Sequence, residues 1–424
     1  MEMKQLASAR WIRLIPIAFI TYSLAYLDRA NYGFGAASGL ATDLHITPGA
    51  SSLLGALFFL GYFFFQIPGG IYSEKHSSKT LVFWSLIFWG IFAIATGMVN
   101  DITALYCIRF LLGVAESVIM PAMLIFLSHW FTKQERAKAN NLLFLGNPIT
   151  VLWMSVLSGY LCDSFGWRLM FIIEGFPALI WAFVWWRVFV NRPRDAKWLT
   201  EQEKNDLEEA LLEEQKELKP IKNYGEAFRS GKVISFSFIH FFWNIGMYGF
   251  IMWLPSILKN ASNMGIVTTG WLTAVPYALA VLFMLSVSYY SDRSQNRKGV
   301  VVTFLFAGTI CFIASYIVGA SNFWLSYGLL VVAGACMYTP YGPFFAVMPE
   351  VIPKNVVGGA TALIVSFGAL GSFVGAYIVG YLNGATGTPS ASYMFMAGSL
   401  AIAVILAIMT KFSTTNTTVG DFSK

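Results

Sequence analysis

The chain has 424 residues, of which 57% are hydrophobic and only 12% are charged. Since about a quarter of the residues of an ordinary soluble domain are charged, this composition excludes a soluble globular protein and indicates a polytopic membrane protein. The four cysteines lie in or beside apolar segments without close pairing, so neither a disulfide framework nor a metal site is predicted.

Twelve apolar segments are each long enough to cross a hydrocarbon core about 30 Å thick, which takes a helix of about 20 residues. In chain order they are 14–38, 50–73, 80–99, 102–127, 138–161, 168–190, 232–258, 267–290, 299–319, 322–349, 356–382 and 389–411. Residues 191–231 interrupt the series with a charged, helix-forming stretch. The predicted fold class is therefore an all-α polytopic membrane protein with twelve transmembrane helices. Its predicted domains are an N-terminal six-helix bundle (1–190), a cytoplasmic charged linker (191–231) and a C-terminal six-helix bundle with a short cytoplasmic tail (232–424).

The distribution of Lys and Arg predicts the orientation of these segments, because positively charged short loops remain in the cytoplasm. If the N-terminus is cytoplasmic, all but four of the 28 Lys and Arg residues fall at cytoplasmic ends, loops and termini. The exceptions are Arg29 and Arg109, within segments, and Arg168 and Lys259, at outer ends. We predict that both termini are cytoplasmic. The net charge of +6 then reflects topology, and no nucleic-acid partner is predicted.

A short loop recurs at the same place in the two halves. Residues 69–79 read GGIYSEKHSSK after the second segment, and residues 288–298 read SYYSDRSQNRK after the eighth. Two related six-helix halves are typical of one large transporter architecture. The first loop loosely resembles the G-x-L-A-D-R-x-G-R-K pattern of the major facilitator superfamily, at Gly70, Ser73, Glu74, Lys75 and Lys79. This resemblance implies a role in conformational change for the loop residues Glu74, Lys75, Asp292 and Arg293.

Charged residues occur inside the first and fourth segments, where each costs roughly 2.5–3.5 kcal/mol on insertion scales. Counted at about 1.5 Å per residue, Arg29 lies about 22 Å above the start of the first segment, and Arg109 lies about 20 Å above the cytoplasmic boundary. Glu116 is two turns below Arg109 on nearly the same helix face. We therefore predict that both arginines, with Asp28 and Glu116 nearby, line a polar cavity between helices.

Two interpretations of these charges remain open. Asp28–Arg109 and Glu116–Arg29 could be neutralising pairs that only hold the first half together, although two buried pairs are a costly substitute for apolar packing. Alternatively, the arginines bind an anion through their planar forks. A carboxyl group in an apolar cavity can carry a proton at physiological pH, so it would couple the anion to proton flow.

Three motifs resemble one branch of the superfamily, the anion:cation symporters, which carry sugar acids, tartrate, phthalate and related carboxylates. Residues 26–31, YLDRAN, match its Y-x-D-R-x-N motif in the first span. Residues 109–116, RFLLGVAE, match R-x-x-x-G-x-x-E in the fourth, and residues 341–346, YGPFFA, resemble Y-G-P-F-W-A in the tenth. The resemblance implies that Asp28 and Glu116 take protons. It also implies that substrate is held by Arg29, Arg109, Tyr26 and Asn147.

The eleventh segment departs from the branch pattern N-S-x-G-N-x-G-G-F-x-G-P. Both asparagine positions are apolar here, at Val365 and Ala369. A substrate rich in hydroxyl groups would lose partners on that wall unless they come from Asn244, Tyr248 or Tyr338. The sequence thus favours a shorter or more aromatic carboxylate over a sugar acid.

The remaining candidates receive structural interpretations. His240 is interpreted as a core histidine and Glu174 as a structural acid near the outer ends of the fifth and sixth segments. No nucleophile elbow or metal-ligand motif is present, so an enzyme is not predicted. We predict a monomeric, proton-coupled symporter that imports a small organic anion across a bacterial inner membrane and needs no cofactor. An exporter or antiporter and a non-transporting solute sensor of the same fold are the alternatives.

Overall fold

The computed structural model describes residues 8–216, 224–262, 264–294, 296–352, 357–387 and 390–412. Within these ranges every element of secondary structure is a helix, and turns and irregular segments connect the helices. The α-helices are α1 (Ala9–Ala37), α2 (Leu40–Asp43), α3 (Pro48–Lys75), α4 (Ser78–Met98), α5 (Ile102–Glu116), α6 (Ile119–Trp130), α7 (Lys133–Val188), α8 (Glu201–Lys216), α9 (Tyr224–Arg229), α10 (Gly231–Ser262), α11 (Ile266–Ser294), α12 (Arg297–Val318), α13 (Phe323–Tyr338), α14 (Tyr341–Val351), α15 (Val357–Thr386) and α16 (Ser390–Met409).

Ten helical segments of the described chain are long and apolar enough to cross a membrane. One of them, Lys138–Val188, spans 51 residues and covers the predicted fifth segment and all but the last two residues of the sixth. The helix geometry breaks at Gly166, whose φ of 77° and ψ of 168° are accessible to glycine and unfavourable for other residues. The charge-bearing α1 corresponds to the first predicted segment and is not among the ten. The polytopic all-α prediction is confirmed, and the count of twelve stays a prediction.

The fourth and tenth predicted segments are each divided into two helices. α5 gives way to α6 at Ser117 and Val118, and α13 gives way to α14 at Thr339 and Pro340. The breaks have the same physical cause, because prolines at positions 121 and 343 lack the N–H that would bond to the carbonyl four residues earlier. Both prolines fall in the first turn of the second helix, where they are tolerated. The two halves therefore share this feature, as expected for related bundles.

The two halves meet closely on the side of the bundle opposite α8, called here the far side; the other end is the linker side. A side-chain carbon added at Gly33 of α1 would overlap the backbone oxygen of Met252 in α10. One added at Gly270 of α11 would likewise overlap the backbone oxygen of Ser155 in α7. Small residues let helix backbones approach closely in membranes. The far-side contact between the halves thus depends on glycine, which has no side chain, at both positions.

On the linker side, the start of the linker packs against the first half. The indole ring of Trp198 stacks on that of Trp130, with the ring centroids 5.4 Å apart. The guanidinium carbon of Arg13 lies 5.3 Å from the centroid of the Trp198 ring. Arg10 forms an ion pair with Glu135 at 2.9 Å. Beyond these contacts, α8 is strongly charged, as the sequence indicated for the linker.

Gly113 holds α5 against α3, and we expect the Gly113→Ala variant to be less stable. The added methyl group would meet the backbone oxygen of Phe58, while Gly61 of α3 packs reciprocally on Phe110. Overpacking of this kind costs about 1–3 kcal/mol, so the melting temperature in detergent should fall. Gly398→Ala is the matched control, because the space around Gly398 is open. Equal melting temperatures for the two variants would contradict this account.

Candidate functional site

A cavity lies between the two halves, about midway along the helices. It is lined by side chains from α1, α3, α6 and α7 of the first half and from α10, α11, α13, α14 and α15 of the second. Half of its lining residues are tyrosine or phenylalanine. Six of the seven residues predicted to bind substrate line it: Tyr26, Arg29, Asn147, Asn244, Tyr248 and Tyr338. The seventh, Arg109, does not.

Arg29 is the positive charge of the cavity wall. Its Nε–H donates to Glu116 Oε1 at 2.5 Å, and Glu116 is fully buried. The guanidinium carbon lies 4.5 Å from the ring centroid of Tyr62 and 4.9 Å from that of Tyr26, so two aromatic faces support the cation. Its Nη2 makes no hydrogen bond within the described part of the chain. Arg29 is thus anchored at one nitrogen and has donors left for an anion.

Arg109 occupies a different place from the one predicted. Its Nε–H donates to the backbone oxygen of Leu54 at 3.3 Å, and its guanidinium carbon lies 5.0 Å from the ring centroid of Tyr32. The ring of Phe58 lies within 6 Å of both guanidiniums, at 5.7 Å from Arg109 and 5.8 Å from Arg29. Residue spacing predicts a depth for Arg109 but not the direction it faces around the axis of α5. In this arrangement it packs behind Phe58, outside the cavity.

Asp28 belongs to a buried network that also includes Glu174. Asn31 Nδ2 donates to Asp28 Oδ1 and to Glu174 Oε2, each at 3.0 Å. Trp89 Nε1 donates to the second oxygen of Asp28, Oδ2. Ser158 Oγ donates to the second oxygen of Glu174, Oε1, at 2.6 Å. One amide therefore bridges two carboxyl groups from α1 and α7. Of the two neutralising pairs weighed from the sequence, Arg29–Glu116 forms, whereas Asp28 accepts its hydrogen bonds from neutral groups.

Tyrosine hydroxyls connect the two halves across the cavity. The hydroxyls of Tyr26 and Tyr248 lie 2.5 Å apart, and that of Tyr338 donates to Asn147 Oδ1 at 3.2 Å. These bonds join α1 to α10 and α13 to α7. Because each joins a residue of one half to a residue of the other, they would have to break when the halves separate here.

The α15 wall of the cavity is apolar where the branch pattern has amides. Val365 and Ala369 line the cavity, together with Gly368 and Ser372. On α10, Asn244 is largely satisfied by its own half, since Nδ2 donates to the backbone oxygen of His240 at 2.7 Å and Oδ1 accepts from Tyr341 at 3.3 Å. Few polar groups on this side are therefore left for a substrate.

His240 lines the cavity, which the sequence interpretation as a core residue missed. The signal was present, because His240, Asn244 and Tyr248 are spaced four apart and so share one face of α10. Asn244 and Tyr248 were both predicted to face substrate, and the same spacing predicts that His240 faces it as well.

Comparison with known proteins identifies the family. The model of the Major Facilitator Superfamily matches residues 18–376 and 261–420. The chain belongs to the major facilitator superfamily. The inward-facing, unoccupied structure of a bacterial homologue of the human lysosomal transporter Spinster has the same fold, with a TM-score of 0.71 at 16% identity, covering 95% of this chain and 96% of that one.

Two curated relatives resemble this superfamily member over almost its whole length. A "Putative tartrate transporter" of Agrobacterium vitis is 30% identical over 406 residues, covering 94% of this chain and 89% of that protein. A "Quinolone resistance transporter" of Acinetobacter baumannii is 28% identical, covering 93% and 92%. These matches confirm the predicted family and its anion:cation symporter branch. The chain is a multi-pass membrane transporter and not an enzyme.

The loop residues predicted to act in conformational change are only partly visible. The side chains of Glu74, Lys75 and Asp292 lie outside the described part of the structure. Arg293 is exposed in the last turn of α11. Their role in this major facilitator therefore stays a prediction.

Proposed function

We propose that this transporter is a proton-coupled symporter that imports a small organic anion by alternating access. The observation that carries the proposal is Arg29, which lines a cavity between the halves with one nitrogen bound to buried Glu116 and another unbound. An arginine fork suits a carboxylate, since it can donate two parallel hydrogen bonds. The relative named as a tartrate transporter supports a carboxylate as the transported ion.

Glu116 couples the anion to a proton by competing for Arg29. When charged, Glu116 accepts from Nε and holds the guanidinium in its ion pair. A proton on Glu116 removes that charge, weakens the pair and frees the guanidinium for the incoming carboxylate. Release of the proton on the other side restores the pair and expels the anion. Asp28 is the second proposed proton carrier, connected through Asn31 to Glu174.

The residues proposed to contact substrate beside Arg29 are Tyr26, Asn147, Asn244, Tyr248 and Tyr338, which line the cavity. Arg109 is proposed to reach substrate only if Phe58 moves, because in this arrangement it contacts Leu54 and Tyr32 instead. The loop residues Glu74, Lys75, Asp292 and Arg293 are proposed to act on the linker side when the halves rock.

The proposed topology follows from the charge distribution. We propose twelve membrane crossings, with the linker side and both termini in the cytoplasm of a bacterium and the protein in its inner membrane as a monomer. The proposed domains are residues 1–190, the linker 191–231 and residues 232–424. The two helices of α7 on either side of Gly166 support two crossings in that element.

Transport by purified protein in lipid vesicles tests this proposal. With an acidic exterior, vesicles should accumulate one or more members of a panel of sugar acids, hydroxy-dicarboxylates and aromatic acids, and protons should enter with them. A pH-sensitive dye inside the vesicles measures proton entry. Accumulation that follows a sodium gradient and ignores pH would contradict proton coupling.

A second candidate is export of an organic anion by proton antiport, which is favoured by the relative named for quinolone resistance. The direction of the pH gradient distinguishes symport from antiport, whichever way the protein inserts into the vesicles. A symporter accumulates its anion in vesicles with an acidic exterior, whereas an antiporter accumulates it in vesicles with an acidic interior. No movement under either gradient would contradict both.

A further inference from the structure

We propose that His240 is a specificity-determining hydrogen-bond acceptor, and that the transported anion is a flat carboxylate that carries a hydroxyl or N–H donor at its opposite end. This inference rests on the proposed function and narrows its substrate class. It is carried by the hydrogen bonding of the His240 ring, the position of that ring two turns of α10 before Tyr248, and the composition of the cavity walls.

The tautomer of His240 is set by the backbone. Its Nδ1 lies 2.9 Å from the oxygen of Ile364, and a carbonyl oxygen can only accept, so Nδ1 carries the hydrogen. The ring otherwise contacts Trp243, Tyr341, Phe344 and Phe345, and a cation there would have no carboxylate partner in the described chain. The ring is therefore neutral, and Nε2 bears a lone pair that can only accept.

Nε2 lacks the partner that a structural histidine would have. His240 is 4% exposed, and Nε2 makes no hydrogen bond with the described residues. Leaving a buried polar atom unpaired costs about 1–3 kcal/mol, so such atoms are normally satisfied. His240 lines the cavity, and a donor on a bound ligand would complete its hydrogen bonding.

The spacing along α10 indicates an elongated ligand. The Tyr248 hydroxyl lies 2.5 Å from that of Tyr26, whose ring supports the Arg29 guanidinium, and His240 is eight residues earlier on the same face of α10. Eight residues rise about 12 Å along the helix axis, so a ligand that contacts both Arg29 and His240 has its carboxylate and its donor at opposite ends, as a para-substituted benzoate does.

The walls between these two ends favour a flat, apolar body. Tyr22, Phe144 and Phe345 line the cavity, and the rings of Phe144 and Phe345 stack at 5.8 Å. On α15, the absence of a side chain at Gly368 leaves room for the imidazole. Val365 and Ala369 offer no hydrogen bond to the middle of a ligand. A polyhydroxylated chain would lose its hydration against Val365 and Ala369 without replacement, whereas a ring would not.

Binding to the purified full-length protein tests the inference, with 4-hydroxybenzoate, 4-methoxybenzoate, benzoate and 4-hydroxybenzamide as probes in calorimetry. The wild type should bind 4-hydroxybenzoate roughly 10- to 100-fold more tightly than 4-methoxybenzoate, since only the hydroxyl can donate to Nε2. The carboxamide should bind weakly, because it lacks the charge for Arg29.

Two variants separate recognition from packing. His240→Phe should bind 4-hydroxybenzoate and 4-methoxybenzoate within roughly threefold of each other, because the acceptor is gone. His240→Gln retains an acceptor oxygen and should restore part of the discrimination. A preserved wild-type preference in His240→Phe would overturn the assignment of Nε2, and so would a wild type that does not distinguish the two probes.

Failure of the inference can be told from failure of the proposed function. A wild type that binds tartrate or a sugar acid but none of the aromatic acids overturns the flat substrate and leaves anion transport intact. A wild type that binds the carboxamide as tightly as the acid overturns the Arg29 clamp, and the proposal about His240 falls with it.

Discussion

The Glu116→Gln variant should still exchange substrate across a membrane but lose accumulation driven by a pH gradient. Glutamine keeps the size of the side chain, and its amide oxygen can still accept from Arg29 Nε, which lies 2.5 Å from Glu116 in the wild type. Without a titrating group at position 116, however, the proton that is proposed to release Arg29 is neither bound nor given up during the cycle. We expect gradient-driven uptake to fall by roughly tenfold or more, which corresponds to about 1.4 kcal/mol, and counterflow to persist.

Both assays are done on one reconstituted preparation, with Glu201→Gln as the matched control. Glu201 is exposed in the first turn of α8, far from the cavity, so this variant should behave like the wild type in both assays. If Glu116→Gln accumulates substrate up a gradient, Glu116 is not a required proton carrier. If it loses counterflow as well, its role is in binding or in structure.

The Arg29→Lys variant should lose most of its affinity for substrate although its charge is retained. A lysine ammonium cannot present a planar fork, and it cannot donate to Glu116 and to a carboxylate in the geometry that the guanidinium allows. Loss of a charge-assisted hydrogen bond costs about 1.5–3 kcal/mol, so the dissociation constant should rise roughly 10- to 100-fold. Calorimetry with the substrate found in the vesicle screen measures this change.

Arg109→Lys is the informative partner of that variant. Arg109 contacts Leu54 and Tyr32 outside the cavity, so its replacement should change affinity less than that of Arg29 and lower the melting temperature more. Equal losses of affinity in the two variants would show that both arginines hold the anion together, as the sequence resemblance implied. Wild-type affinity in Arg29→Lys would contradict the anion clamp.

The buried charges were the part of the site that the sequence predicted best. A charged residue inside an apolar helix has few acceptable surroundings, so the positions of Arg29 and Glu116 in the sequence predicted a polar cavity and left a pairing between them as an alternative. The loss of amides at Val365 and Ala369 likewise predicted an apolar wall that the structure contains. In both cases the environment follows from the chemistry of the side chain itself.

The rotation of helices about their own axes was not predictable in the same way. Arg109 was predicted to line the cavity, but α5 turns it toward Leu54 and Tyr32 instead. His240 was interpreted as a core histidine, whereas its surroundings come from α14 and α15, more than a hundred residues away. Such details depend on packing between distant helices, which the sequence pattern of one helix does not contain.

The amide bridge between Asp28 and Glu174 has an electrical consequence. Asp28, Glu116 and Glu174 are buried in the membrane-spanning part of the first half, against Arg29 and Arg109. With every group ionised, these five buried groups sum to one surplus negative charge, which a single retained proton cancels. If, as proposed, one monovalent anion enters with one further proton, the sum stays at zero. A carrier balanced in this way reorients without moving net charge through the membrane potential, which would otherwise contribute about 2.3 kcal/mol per charge at 100 mV. The rate of transport should therefore depend on the proton concentration and be independent of the membrane potential.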